Sequence, residues 1–414
     1  MFHKTLIGVA TALSLSVAPI AAKATELFVY HSWSAESEVA ALNVLIDALA
    51  KKGITWSEIA IPHESESNVG LINLVTGGNP PDVFIESNPG FYRDLKQMGL
   101  AQPVTELFNS EHITENLPPA VVQSITVDGD IMKIPTAIHI DGMIYYNKAV
   151  AAAAGVDPTS WTSLDDMWAD EKKVEDAGYT FMAMGGNTFQ AGYLFHALVA
   201  AMAGPDIYYR LYGPEPDPTV FDEPALRDVI DMHRRITSQA DDGWVNRSWA
   251  DTTNTVITGK ALMHLHGDWM KGQWRAAGAT AGNEFGCINI PGTKALSVTV
   301  DAFGLLGGVD EETKQAEFEF AKIVTDPQIA ADFAAKKGST PVRSDAPSGA
   351  MDICNTVVLD GLRDIGGVQN PFNITDGDWH MSIWNVLFEF QSDPNMTDDD
   401  VIAGLKDEYD AIFG

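Results

Sequence analysis

The sequence predicts an α/β chain arranged as two lobes, and three observations carry that prediction. Short apolar strands alternate with amphipathic helices through the first 150 residues. A helix-rich middle follows, and strands return near residue 300. Strand-rich segments on both sides of a helical stretch suit a chain that leaves one lobe, builds a second, returns and leaves again. Length agrees, since 414 residues exceed what a single core usually holds.

Taken in order, residues 1–24 read as a removable export signal. Lys4 supplies the positive start, residues 6–22 are apolar and small, and Ala22-Lys23-Ala24 has the small-x-small cleavage pattern. The apolar run is too short and too rich in Ser and Ala to span a bilayer. A strand at 26–31, a turn at 32–38 and a helix at 39–51 open the mature chain. Next come a strand at 54–62 and a helix at 69–76, which Gly77-Gly78 and Pro80-Pro81 terminate. The pattern gives a buried strand at 82–86, a helix at 91–98, strands at 131–135 and 139–146, and an Ala-rich helix at 148–154. Helices are predicted at 161–178, 190–203, 208–212 and 225–236, around a proline-rich loop at 213–224. A strand at 261–266, a helix at 270–276, a strand at 297–306 and helices at 311–324 and 327–335 follow.

The composition excludes some partners. There are 57 acidic against 26 basic residues, a net charge of −31 that becomes −33 once Lys4 and Lys23 leave with the signal. Such a surface repels nucleic acid and anionic membranes. The two cysteines, Cys287 and Cys354, suggest a disulfide in an exported protein, with two buried thiols as the alternative. No cysteine near the cleavage site offers a lipid anchor, which points to a soluble periplasmic product.

Several groups could carry recognition. His31, Trp33, Glu36 and Glu38 sit where a strand runs into a helix, the edge at which open α/β sheets bind ligands. An indole can stack on the C–H face of a sugar and a carboxylate accepts hydroxyl hydrogen bonds. The alternative is a core tryptophan beside an acidic helix start. Gly267-Asp268-Trp269 repeats the acid–aromatic pairing, or is a turn capping the next helix. Asp301 is a charge in an apolar strand and must meet a partner or face a cleft. Lys337 ends a helix before Gly338, where an ordinary C-cap would also place a lysine. His380 lies beside Asp378 and Trp379. His264 and His266 share one strand face, yet no further ligand has zinc spacing, and no metal or other cofactor is expected. No Gly-x-Ser-x-Gly, His-Glu-x-x-His or Cys–His arrangement supports catalysis.

These pieces together resemble the periplasmic solute-binding proteins of ABC sugar importers, in the maltose-binding-like group and nearest its glucose/mannose-binding members. The resemblance rests on Trp33 to Glu38, Gly77-Gly78-Asn79-Pro80-Pro81-Asp82-Val83, residues 134–147, AMGGNTFQ at 183–190 and GKALMHLHGDW at 259–269. Residues 300–303, KGSTPVR at 337–343 and His380 complete it. It implies a type II-like periplasmic binding protein fold. One lobe would be 25–138 with 302–343 and the other 139–301 with 344–414, joined by crossing segments around the cleft. It also implies ligand contacts from Trp33, Glu38, Gln190, Asp268, Trp269, Asp301, Lys337 and His380, and no enzymatic activity. The expected partners are a mono- or small oligosaccharide and the membrane permease, with the protein itself a monomer. Two departures stand out: Ser32 precedes Trp33 where such relatives have paired tryptophans, and Ser87 follows the third strand where they have lysine. Trp33 and Trp269 are expected to flank the sugar from opposite lobes, so that Trp→Ala changes spare the unliganded fold. A cationic solute such as a polyamine, held by Glu36, Glu38, Asp268 and Asp301, is the alternative ligand. A secreted glycoside hydrolase is the alternative activity.

Overall fold

The computed structural model describes residues 25–61 and 67–414. The signal reading of residues 1–24 and the last residue of the strand predicted at 54–62 lie outside it. In chain order the strands are β1 (Thr25–His31), β2 (Ile54–Ala60), β3 (Val83–Ile85), β4 (Thr126–Val127), β5 (Asp130–Ile131), β6 (Lys133–Ile140), β7 (Met143–Asn147), β8 (Thr180–Met182), β9 (Ala261–His266), β10 (Phe285–Asn289), β11 (Leu296–Leu305), β12 (Thr340–Pro341) and β13 (Gly367–Gln369).

They form two principal sheets. The larger has the order β12-β6-β11-β3-β1-β2, with β13 also paired to β11; the smaller runs β10-β7-β9-β8. β1 pairs in parallel with β2 and β3, whereas β11 meets β3 and β6 antiparallel. Each sheet has its own apolar core. Leu27, Val29, Leu42, Phe108, Ile134, Phe303, Phe320 and Val342 pack in the first. Ile144, Phe181, Phe195, Leu211, Ile230, Leu262, Trp379 and Leu387 pack in the second. This is the two-lobed α/β architecture that the alternating pattern predicts.

The chain leaves the larger sheet at Asp141-Gly142, where a single strand was predicted across 139–146. Two strands form instead, and at the turn between them Gly142 packs so closely on Ala197 and Ile290 that an added Cβ would come within 2.9 Å of the Ala197 methyl. The helix predicted at 161–178 divides into Leu164–Ala169 and Glu171–Asp176. Between them Asp170 accepts the Trp161 indole N–H at 2.9 Å. The stretch predicted as one helix at 190–203 is α-helical from Thr188 to Leu198 and widens into a π turn from Val199 to Ala203. The proline-rich loop contains a 3-10 turn, Pro218–Asp222. Helices Trp249–Ile257, Ile353–Asp364, Gly377–Ser392 and Asp398–Phe413 and strand β10 were not anticipated.

A disulfide joins Cys287 on β10 to Cys354 on the Ile353–Asp364 helix, 67 residues apart, so the bridged reading holds and the free-thiol alternative does not. Among the described residues no helix is long and apolar enough to cross a membrane.

Candidate functional site

β1 and β3 run parallel, so both end on the same edge of the larger sheet, with Tyr30 opposite Phe84. The residues just beyond those ends, Ser32 and Trp33 after β1 and Glu86 and Ser87 after β3, form one wall of a cavity. Thr299 and Asp301 of β11 form its floor. Tyr193, from the Thr188–Leu198 helix, and Asn370, Phe372 and Asn373, beyond β13, form the opposite wall. The space free of atoms is ≈ 630 Å³ including the open mouth.

The wall is rigidly charged. Glu38 is the third residue of the Glu36–Lys51 helix, and its Oε2 accepts the backbone N–H groups of Ser34 and Ala35, both at 3.0 Å. Its Oε1 lies 3.2 Å from the Lys337 ammonium, which is also 3.6 Å from Asp301 and 4.8 Å from the Trp33 ring centre. Burial alone would lower the Lys337 pKa; the carboxylates of Glu38 and Asp301 outweigh it and raise the value. Lys337 thus combines the C-terminal placement that the helix dipole favours with a fixed positive charge behind the cavity.

The network continues into the second lobe. His139, at the end of β6, puts Nε2 3.2 Å from Asp301 and Nδ1 2.5 Å from Asp268. Burial would lower its pKa, but the two carboxylates overcome that and lift it to about 9. Beneath the floor, Asp141 accepts from Thr299 at 2.6 Å, Ser297 at 2.6 Å and Asn370 at 2.9 Å, with His196 Nε2 at 3.1 Å. Thr299 and Asn370 both face the cavity, so Asp141 fixes two lining groups without touching the cavity itself.

Of the eight residues singled out from the sequence, Trp33 and Asp301 line the cavity, and Glu38 and Lys337 stand directly behind them. Asp268 reaches the site through His139. Trp269 does not line the cavity. It packs edge-on against Tyr193, His139 and His266 in an aromatic cluster with Phe189 and Trp384. His380 lies beneath Phe372, ring centres 4.1 Å apart, and burial holds its pKa well below the usual imidazole value. Gln190 sits away from the cavity, donating to the Arg247 carbonyl at 2.8 Å. Trp33 is only 3% exposed and packs on Phe303 and Phe333, so it belongs to the core as well as to the cavity wall. The expectation that its removal spares the unliganded fold is corrected accordingly. His264 and His266 stack on each other inside the second lobe, with burial lowering both pKa values.

Sequence reasoning missed Glu86, Tyr193, Asn370, Asp141 and Lys133. The signal that found Asp301, a charge inside an apolar strand, is present at Lys133 and at Asp141 too.

The Lys133 ammonium is buried and donates to the Ser87 carbonyl and, at 3.1 Å, to Asn373 Oδ1. Burial pushes its pKa down to about 7 despite the nearby Glu86. Glu86 Oε1 accepts the N–H groups of Ser87 and Asn88, each at 2.7 Å. Lys133 thus holds the Ser87 end of the wall from behind, reaching it from β6.

Residues 33–328 match the model of the bacterial extracellular solute-binding protein family. A probable sugar-binding periplasmic protein of Mesorhizobium japonicum is 29% identical over 368 residues, covering 88% of this chain and 87% of that one. Among solved structures, a chitin oligosaccharide binding protein superposes with TM-score 0.80 at 16% identity, covering 95% of this chain and all of the other. A bacterial solute receptor described as preferring β-D-galactopyranose gives 0.78 at 17% identity, covering 94% and 98%. Those two structures establish the fold. With the family model spanning most of its length, the chain belongs to the bacterial extracellular solute-binding proteins, binders rather than enzymes.

Proposed function

We propose that this protein is the periplasmic receptor of an ABC importer, capturing a neutral monosaccharide and presenting it to the membrane permease. The observation that carries this reading is the composition of the cavity. Aromatic faces from Trp33, Tyr193 and Phe372 alternate with Glu86, Ser87, Thr299, Asp301, Asn370 and Asn373. Neutral polyols need both aromatic faces and many hydrogen-bond partners. Trp33 and Asp301 would touch the ligand; Glu38, Lys337, His139 and Asp268 would hold them in place.

A cationic solute is disfavoured because the carboxylates near the cavity already have partners. Glu38 and Asp301 face Lys337, Asp268 and Asp301 face His139, and Glu86 faces Lys133. The lobe division proposed is 25–138 with 302–343 against 139–301 with 344–414. The separate cores support it, and β6 and β11 would be the crossing segments, their pairing reaching back to Ile140 and Val298. Closure would follow hinge rotation, with sugar stabilising the closed form by contacting both lobes.

A thermal-shift screen over about thirty sugars and polyamines tests the assignment. Ligand at 100 times its dissociation constant adds about 2.7 kcal/mol and raises the melting temperature. A neutral monosaccharide should give the largest shift. A shift from spermidine alone, or turnover of aryl glycosides, would overturn the reading.

A further inference from the structure

Lys133, buried behind the cavity wall, bonds to Asn373, which lines the cavity. Lys133 belongs to β6 of the larger sheet, and its ammonium is held on its own side by the Ser87 carbonyl. Asn373 follows Phe372, whose ring packs on His380 and Trp384 of the Gly377–Ser392 helix. That helix packs with the second lobe. The 3.1 Å bond from Lys133 Nζ to Asn373 Oδ1 therefore ties one wall to the other. A second approach lies beside it. A Cβ on Gly377 would stand 3.3 Å from Asn88 Nδ2, so the β3 loop and the start of the helix also come close together.

The chemistry of the Lys133 pocket is unusual for a purely structural lysine. Its stem is sealed, its head lies 5.5 Å from the Tyr92 ring centre, and the acid nearest it, Glu86, lines the cavity. Tyr92 in turn donates to the Glu86 carbonyl at 2.7 Å. A buried ammonium gains from each acceptor that reaches it, and Asn373 is one such acceptor, at 3.1 Å from the opposite wall.

We propose that Lys133 is a positioning residue for lobe closure, a latch whose bond to Asn373 holds the cavity shut in the absence of direct contact with the ligand. This rests on reading the cavity as the cleft between two lobes, but not on the identity of the sugar. Opening would exchange the Asn373 bond for water, while the bond to Ser87 travels with the first lobe.

The test uses the full mature protein without ligand, so its outcome is independent of whether a sugar is found. Small-angle X-ray scattering should give a larger radius of gyration for Lys133→Met than for wild type. Asn373→Leu, which leaves the lysine in place, should do the same and serves if Lys133→Met folds poorly. Asn373→Asp converts the neutral acceptor to a charged one and should give a more compact particle than wild type. That gain should vanish in the Lys133→Met background, which a merely structural lysine would not predict. For any sugar that binds, Lys133→Met and Asn373→Leu should raise the dissociation rate roughly tenfold, the weight of one charge-assisted hydrogen bond. Equal scattering for wild type, Asn373→Leu and Asn373→Asp would overturn the latch. So would an Asn373→Asp effect that persists without the lysine.

Discussion

The imidazole of His139 stands 3.2 Å from the carboxylate of Asp301, on the opposite side of the ring from Asp268. Buried His139 and Asp268 and the partly exposed Asp301 therefore link β6, the turn after β9 and β11 at the floor of the cavity. Lys337 extends the alternation to Glu38 on the Glu36–Lys51 helix. Buried charges persist only where partners compensate their lost hydration, and here each faces one of opposite sign.

The His139 pKa, lifted to about 9 by Asp268 and Asp301 against the effect of burial, makes a pH prediction. A raised folded-state value stabilises fully below the unfolded value of about 6.5, and the contribution is lost as pH rises towards 9. Its ceiling is about 3 kcal/mol. Lys133, pushed down to about 7 by burial, acts oppositely, its cost being relieved as pH rises from about 7 towards 10.5. The informative quantity is therefore a difference. In urea titrations between pH 6.5 and 9, the stability gap between wild type and His139→Gln should narrow steadily. A gap that stays constant would contradict the assignment of a charged imidazole.

Trp33→Ala should lower stability by about 3 kcal/mol or more, because it empties space beside Phe303 and Phe333. It should also weaken sugar binding at least tenfold through loss of a stacking face. Calorimetry on the folded variant separates the two effects. Full affinity would remove Trp33 from the binding wall and leave it a core residue.

The Cys287–Cys354 bond closes a loop spanning 67 positions. On the chain-entropy model this contributes about 4 kcal/mol by restricting the unfolded chain. The double Cys→Ala variant should unfold at a clearly lower urea concentration with an unaltered ligand affinity, since neither cysteine lines the cavity. An unchanged midpoint would mean that the loop is already restrained when unfolded.

Local signals explain what was legible in the sequence. Alternation and caps located β1, β9 and the Glu311–Val324 helix, and the acid–aromatic turn after β1 located Trp33 and Glu38. Side chains such as Asn370 and Tyr193 were not visible as site residues because tertiary packing brings them to the wall. Asn370 gains its role through Asp141, 229 positions away in sequence. The rings of Trp269 and His380, which the resemblance gave ligand contacts, are instead spent on packing with Tyr193, Phe372 and Trp384. A turn motif announces that an aromatic is present, not which face remains open.

Isothermal titration calorimetry of the mature protein with single neutral monosaccharides, alongside spermidine, tests the central claim most directly. Saturable one-site binding of at least one neutral monosaccharide is expected, lost or weakened more than tenfold in Asp301→Ala. Binding of spermidine with no response to any neutral sugar, or sugar affinity indifferent to Asp301→Ala, would contradict it.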